Sequence, residues 1–195
     1  MTASGHLEFV ERLSLDDIAQ QLAVDVAAAL AAAVDSKGGA SIAVPGGSTP
    51  LPFFLALSAH PIDWSKVRVT LTDERWVSAD AEQSNARLVR EGLRGPAAKA
   101  VFAPPQTLHT SLNDAASAWD ADLRAAPPFD LVVLGMGDDG HFASLFPGGA
   151  DLARNLDPQS EAFAVAVPDR DPPRLSLTLS AILKAERVCL LIAGE

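Results

Sequence analysis

The sequence holds one cysteine, no tyrosine and two methionines among 195 residues. The cysteine, Cys189, lies in the apolar run Val188-Cys189-Leu190-Leu191-Ile192. It reads as a buried strand residue without a disulfide partner, which suits a reducing, cytoplasmic setting. No Cys/His cluster has zinc-ligand spacing, so no metal is expected. Cations are scarce as well. There are 15 Lys and Arg against 25 Asp and Glu, a formal net charge of −10, and no basic block. Nucleic-acid backbones need clustered Lys and Arg, so nucleic acid is excluded as a partner. A small anionic ligand is compatible with this charge, because it needs only a local pocket of amides and one or two cations. No apolar run approaches the ~20 residues that span a bilayer, so no membrane partner is expected. The opening MTASGHLEFVER lacks the basic start and apolar stretch of a leader.

What is present points to one globular domain with a sizeable core: 48% of residues are hydrophobic and 21% charged. Ser14 is placed to cap a helix from Leu15 to Asp35, with Ile18, Leu22, Val26, Leu30 and Val34 repeating at i, i+4. Lys37-Gly38-Gly39 ends it, and Ala40–Val44 reads as the first strand. A short helix over 50–58, a strand at Val67–Leu71 and a Ser84-capped helix follow. A short strand is expected at 100–102, then a helix from Ser111 or Asn113 to Arg124. Leu131–Leu134 is an apolar run bounded by turn signals, as in a strand buried on both faces of a parallel sheet. Further strands are expected at Phe163–Val167 and Arg187–Ile192, with 175–184 alternating first and then helical. Helices alternating with apolar strands predict an α/β fold, a doubly wound, mainly parallel sheet flanked by helices.

Three polar segments follow predicted parallel strands: Gly46-Gly47-Ser48, Asp73-Glu74-Arg75 and Gly137-Asp138-Asp139-Gly140-His141. Parallel strands end on the same edge of a sheet, so the three can converge there. The first resembles an anion cradle of amides and hydroxyls before a helix start. It has no Gly-Lys-Ser/Thr ending and no GxGxxG, so it is neither a nucleotide P-loop nor a dinucleotide fingerprint. The second offers a guanidinium for a phosphate; in isolation it reads as an exposed, ion-paired loop. The third offers a histidine for acid/base work, flanked by carboxylates.

The strings VPGGSTP, LTDERWV with Ser84-Asn85 following, GMGDDGHFASLFP and PPRLSLTLSAIL resemble, in order, the motifs of the 6-phosphogluconolactonases. These belong with the glucosamine-6-phosphate isomerases/deaminases in one superfamily. The resemblance covers nearly the whole chain. It implies a Rossmann-like fold of the glucosamine-6-phosphate isomerase type and hydrolysis of 6-phospho-D-glucono-1,5-lactone in the oxidative pentose phosphate pathway, without a cofactor. It makes His141 the catalytic base and puts Gly46, Gly47, Ser48 and Arg75 at the phosphate and sugar site, with Arg174 as a further phosphate contact. Asp139 would orient the imidazole, and Asp73 would contact sugar hydroxyls or the site water. The deaminating relatives follow the Asp-Gly-His core with Phe-Asn-Glu-Pro; here Leu145-Phe146-Pro147 stands instead, and Phe146 replaces the glutamate of that branch. The alternatives are such an isomerase or deaminase, or a non-catalytic sugar-phosphate sensor. The resemblance also implies a further strand–helix unit and a phosphate-binding lysine after the Ala-Gly-Glu region. The sequence ends at Glu195, so the expectation is a single domain, 1–195, lacking that unit and leaving one sheet face exposed. Its partner is expected to be the small sugar-phosphate lactone, and the chain a monomer or weak homo-oligomer.

Overall fold

The computed structural model describes residues 7–108 and 111–193. The segment before residue 7, part of the expected leaderless start, and residues 194–195 at the chain end lie outside the described residues.

Five parallel strands form the main sheet. β1 (Ala40–Val44), β2 (Val67–Leu71), β4 (Val101–Phe102), β5 (Leu131–Gly135) and β8 (Arg187–Leu191) lie in the order β4-β2-β1-β5-β8. The chain runs outward from β1 through β2 to β4, then returns to the other side of β1 for β5 and β8. The order therefore reverses between β1 and β5, and the loops leaving these two strands stand at the switch point where an open α/β sheet forms its crevice, at the carboxyl edge. Alternation along the strands supplies two cores. Ile42, Val44, Val69, Leu131 and Val133 face one cluster, with Phe53, Phe54 and Trp64. Ala43, Val132 and Leu134 face the other, with Trp119, Leu175 and Leu177.

The first face is covered by α1 (Leu15–Lys37), α2 (Leu51–Ser58) and α3 (Asn85–Gly92). Ser14 caps α1 by accepting from the Asp17 amide, and Gly38 closes it at φ 80° with its N–H on Val34 O. By length and composition α1 could cross a bilayer, although no uninterrupted apolar run predicts this. In the fold one stripe of it packs into the core. Its inner stripe is mostly alanine, Ala19, Ala23 and Ala27 with Val26 and Leu30, and is buried on the sheet. Ile18 and Leu22 of the expected ladder are only half-buried, because small side chains sit where the helix lies closest.

α4 (Leu112–Ala125), capped by Ser111, covers the second face beside a second sheet. This sheet is antiparallel: β3 (Asp73–Arg75), β7 (Arg174–Leu177) and β6 (Ala164–Val167), in the order β3-β7-β6. Two short α-helices, α5 (Leu152–Asn155) and α6 (Leu179–Leu183), and two 3-10 turns, Trp64–Lys66 and Gly95–Lys99, are the remaining elements among the described residues. The sheet corrects the expectation of a loop at Asp73-Glu74-Arg75. Thr72 is the joint: its N–H donates to Val44 O in the parallel sheet and its C=O accepts from Leu177 N in the antiparallel one. A three-residue strand after a five-residue strand carries no periodicity of its own, and only the distant partner at 174–177 defines it.

Cys189 is half-buried, less enclosed than expected, because β8 is the edge strand of its sheet. The opposite face of β8 is open: Val188 is 42% and Leu190 50% exposed. At the amino edge of the sheet, Lys37 Nζ pairs with Asp130 at 2.6 Å and Glu186 at 2.5 Å. Asp130 also accepts from Ser41 N and Oγ at 2.7 and 3.0 Å. These bonds tie the end of α1 to the starts of β1, β5 and β8, on the edge opposite the crevice.

Candidate active site

The loop after β5 builds the histidine. Gly140, at φ 83°, turns the chain, and Gly137 N donates to His141 O at 2.9 Å. A Cβ on Gly137 would overlap the His141 ring, so glycine there lets the imidazole lie against the backbone. Asp139 Oδ1 meets His141 Nδ1 at 2.5 Å and accepts the His141 amide at 3.1 Å. The hydrogen bond from the imidazole holds the Asp139 carboxyl below the usual carboxylate range. An ionised carboxylate accepts, so the Nδ1 proton faces Asp139, and in the neutral imidazole Nε2 is then the acceptor. Among the described residues no hydrogen bond occupies Nε2.

The chain then turns tightly at Phe142–Leu145, with Leu145 N donating to Phe142 O and Ala143 at φ 48°. Left-handed backbone at a residue with a Cβ is strained, and strain of this kind clusters at functional sites. The turn delivers Ser144, which is buried. Its N–H donates to Ser176 Oγ at 3.0 Å and its Oγ donates to Asp73 Oδ2 at 2.6 Å.

Asp73 thus joins the β5 loop to β3. The Gly46-Gly47-Ser48 segment enters through Asn85, whose Nδ2 donates to Asp73 O at 2.9 Å. A Cβ on Gly46 would fall on the Asn85 amide, so the backbone after β1 lies directly against it. Gly47, at φ 87°, and Ser48 are exposed on the turn before α2. Among the described residues Ser48 makes no side-chain hydrogen bond, and Pro50 caps α2 without one. The three segments therefore converge on the carboxyl edge as expected, with Gly46, Asp73 and the His141 loop linked through Asn85 and Ser144.

Glu74 has a different place from an exposed ion-paired loop. It is 1% exposed. Its carboxylate accepts Arg75 N at 2.7 Å, Asn85 N at 2.8 Å, Ala86 N at 2.7 Å and Ser84 Oγ at 3.0 Å. It closes the start of α3, where free amides and the helix dipole favour an anion. Burial nonetheless pushes the carboxyl above its ordinary value, against the pull of these donors.

The cations gather on the antiparallel sheet. Arg75 stands directly opposite Arg174 in the β3–β7 register. Like charges paired across strands repel. Burial and then Arg75 lower the Arg174 pKa, with Arg170 acting the same way and Asp73 and Glu74 opposing. Arg75 Nη1 donates to Gln83 O at 2.6 Å. Among the described residues Arg174 Nη1 is buried without a partner, as is Trp76 Nε1. Buried donors without acceptors beside a like-charged neighbour suit an anion with several oxygens.

Residues 14–195 match the model of the glucosamine-6-phosphate isomerase/6-phosphogluconolactonase family. The chain belongs to that family. It is 49% identical over 182 residues to a 6-phosphogluconolactonase of Mesorhizobium japonicum, covering 91% of this chain and 76% of that one. A Caulobacter vibrioides 6-phosphogluconolactonase is 43% identical over 186 residues, covering 93% and 80%. The crystal structure of a 6-phosphogluconolactonase from Shewanella baltica superposes with a TM-score of 0.88 at 44% identity, covering 93% of this chain and 79% of that one. These likenesses bear out the fold class, including the mainly parallel sheet.

Sequence reasoning quoted Trp76, Asn85, Ser144 and Ser176 within motifs but gave them no role, and it passed over the structural task of Glu74. Ser84-Asn85 after Asp-Glu-Arg was the available signal for a carboxylate capping a helix start. The others act only through partners distant in sequence. Among the described residues no group of three or more His, Cys, Asp or Glu is placed to hold a metal ion.

Proposed function

We propose that this chain hydrolyses 6-phospho-D-glucono-1,5-lactone to 6-phospho-D-gluconate, in the oxidative pentose phosphate pathway. The relatives named above bear that activity in their names, and the chain spans most of their length. The observation that carries the reading is a histidine on the loop after β5 and, on the antiparallel sheet that Ser144 and Asp73 tie to that loop, a pair of opposed arginines with a buried donor that has no partner among the described residues. The first suits lactone opening and the second a phosphate.

In this reading His141 Nε2 takes a proton from water as the water oxygen attacks C1 of the lactone. Asp139 stabilises the imidazolium that forms. Backbone amides or a nearby cation receive the developing oxyanion. The tetrahedral intermediate collapses by breaking the bond from C1 to the ring oxygen. That oxygen takes the proton back from His141 and becomes a hydroxyl. Asp73 and Ser144 shape the sugar pocket. Arg75 and Arg174 anchor the phosphate, with Gly46, Gly47 and Ser48 at the pocket mouth, so that the ring is placed for attack. The proposed setting is the cytoplasm.

The reading is tested with freshly generated 6-phosphogluconolactone, coupling its product to 6-phosphogluconate dehydrogenase and subtracting spontaneous hydrolysis. Acceleration of the phosphorylated lactone well beyond that of unphosphorylated gluconolactone is expected. Equal acceleration of both would remove the phosphate anchor, and no acceleration would remove the activity.

A further inference from the structure

Phe146 closes the motif that carries His141, yet hydrolysis as described gives it no task. Its ring lies against the imidazole, with centroids 4.2 Å apart and planes tilted by 33°. On Phe146 also lies a guanidinium: Arg170 Cζ sits 4.2 Å from the ring centroid. Arg170 comes from the turn between β6 and β7, so the antiparallel sheet reaches over the β5 loop through this contact. Among the described residues Arg170 makes one hydrogen bond, from Nη1 to the carbonyl of its neighbour Asp169 at 3.1 Å. The described ion pairs include none for it, so its guanidinium is committed to the ring.

An imidazole hydrogen-bonded, among the described residues, only through Nδ1 to an exposed aspartate can still swing about that bond, away from the Gly137 backbone it lies against. Proton transfer tolerates little such motion, because the acceptor nitrogen must stay in line with the attacking water. Phe146 restricts the swing from the ring face, and Arg170 restricts Phe146 by cation–π contact. We infer that Phe146, clamped by Arg170, is a positioning residue that fixes the His141 imidazole with Nε2 toward the substrate. The inference rests on His141 being the base. It gives Phe146 a specific task where the deaminating branch carries an acid.

The test uses Phe146→Leu, Phe146→Tyr and Arg170→Leu in the full chain, each read by steady-state kinetics and by NMR of the ¹⁵N-labelled imidazole. Phe146→Leu keeps apolar volume and removes the ring face. It is expected to lower kcat by roughly ten- to a hundredfold with KM changed little. Phe146→Tyr should restore most of the loss. Arg170→Leu should lower kcat by a smaller factor. In the spectra, Phe146→Leu should abolish the ring-current shift of the His141 carbon-bound protons and broaden them. A kcat unchanged in Phe146→Leu, or a loss that Phe146→Tyr fails to restore, would overturn the positioning role. A rise in KM alone in Arg170→Leu would assign that residue to the phosphate and overturn the clamp. If the parent chain itself shows no hydrolysis, the functional reading has failed. The imidazole spectra then decide the stack separately: unchanged shifts in Phe146→Leu would overturn it.

Discussion

At the scale of single residues, the carboxyl edge separates side chains that do chemistry from side chains that hold them. Glu74 belongs to the second kind. Glu74→Gln puts an amide NH₂ where Oε2 now accepts the Ala86 N–H, donor against donor at a buried helix start. A loss of roughly 1–3 kcal/mol in denaturant unfolding is expected. Gly46→Ala should be damaging for another reason. Its Cβ would displace the Asn85 amide that ties β3 to the loop after β1, so turnover should fall even where the thermal midpoint is kept. Arg75 is expected to behave in the opposite way. Removing one of two opposed guanidinium groups relieves repulsion, so Arg75→Ala should change stability by no more than ~0.5 kcal/mol. It should raise KM for the phosphorylated lactone by roughly tenfold or more while lowering kcat less. Loss of stability with unchanged KM would place Arg75 in the scaffold. The convergence of the glycine turn, Asp73 and the His141 loop was legible in the sequence because each follows a parallel strand, and the family resemblance is what singled out His141. Ser144 was not: its meaning is a bond to Asp73, 71 positions away, reached through left-handed backbone at an alanine that no propensity predicts.

At the scale of elements, strand and helix identities follow closely from pattern. The apolar runs at 40–44, 67–71 and 131–135 are parallel strands, and Ser14, Ser84 and Ser111 cap the helices that follow them. Caps and buried runs are local signals, so the chain displays them directly. The antiparallel sheet was the element not legible. Its strands have three or four residues each, and its order is set by pairing rather than by periodicity. That sheet matters most to the site, since it places Arg75 opposite Arg174 and carries the turn bearing Arg170. The opposite edge offers the control. Asp130 joins α1 to β1 and β8 far from the crevice. Asp130→Ala is expected to cost about 1–3 kcal/mol in unfolding, with kcat and KM unchanged. A matching fall in kcat would mean that the two edges are not independent.

For the whole molecule, a net negative charge and a local cluster of arginines coexist. The net charge of −10 did not predict the arginine cluster, because composition averages over a surface while the fold concentrates three guanidinium groups. The acidic groups also set how stability depends on pH. Burial raises Asp130, but the hydrogen bonds from Lys37 and Ser41 outweigh it and hold the carboxyl below its ordinary 3.8. A depressed native value means stabilisation that is complete above the unfolded pKa and lost as pH falls through the native one. Asp130→Asn should therefore flatten the loss of stability below about pH 3.8. Glu74 has the opposite sign. Its raised native value makes its contribution fall as pH rises from 4.5 through that value, then level off.

The most direct measurement is the rate of 6-phosphogluconolactone hydrolysis by the parent chain and by His141→Ala, at equal concentration of folded protein and against the spontaneous rate. The account predicts clear acceleration by the parent chain and a loss of most of it in His141→Ala, with the circular-dichroism spectrum and thermal midpoint retained. Acceleration that survives in His141→Ala would contradict the assignment of the base and with it the mechanism built on this edge of the sheet.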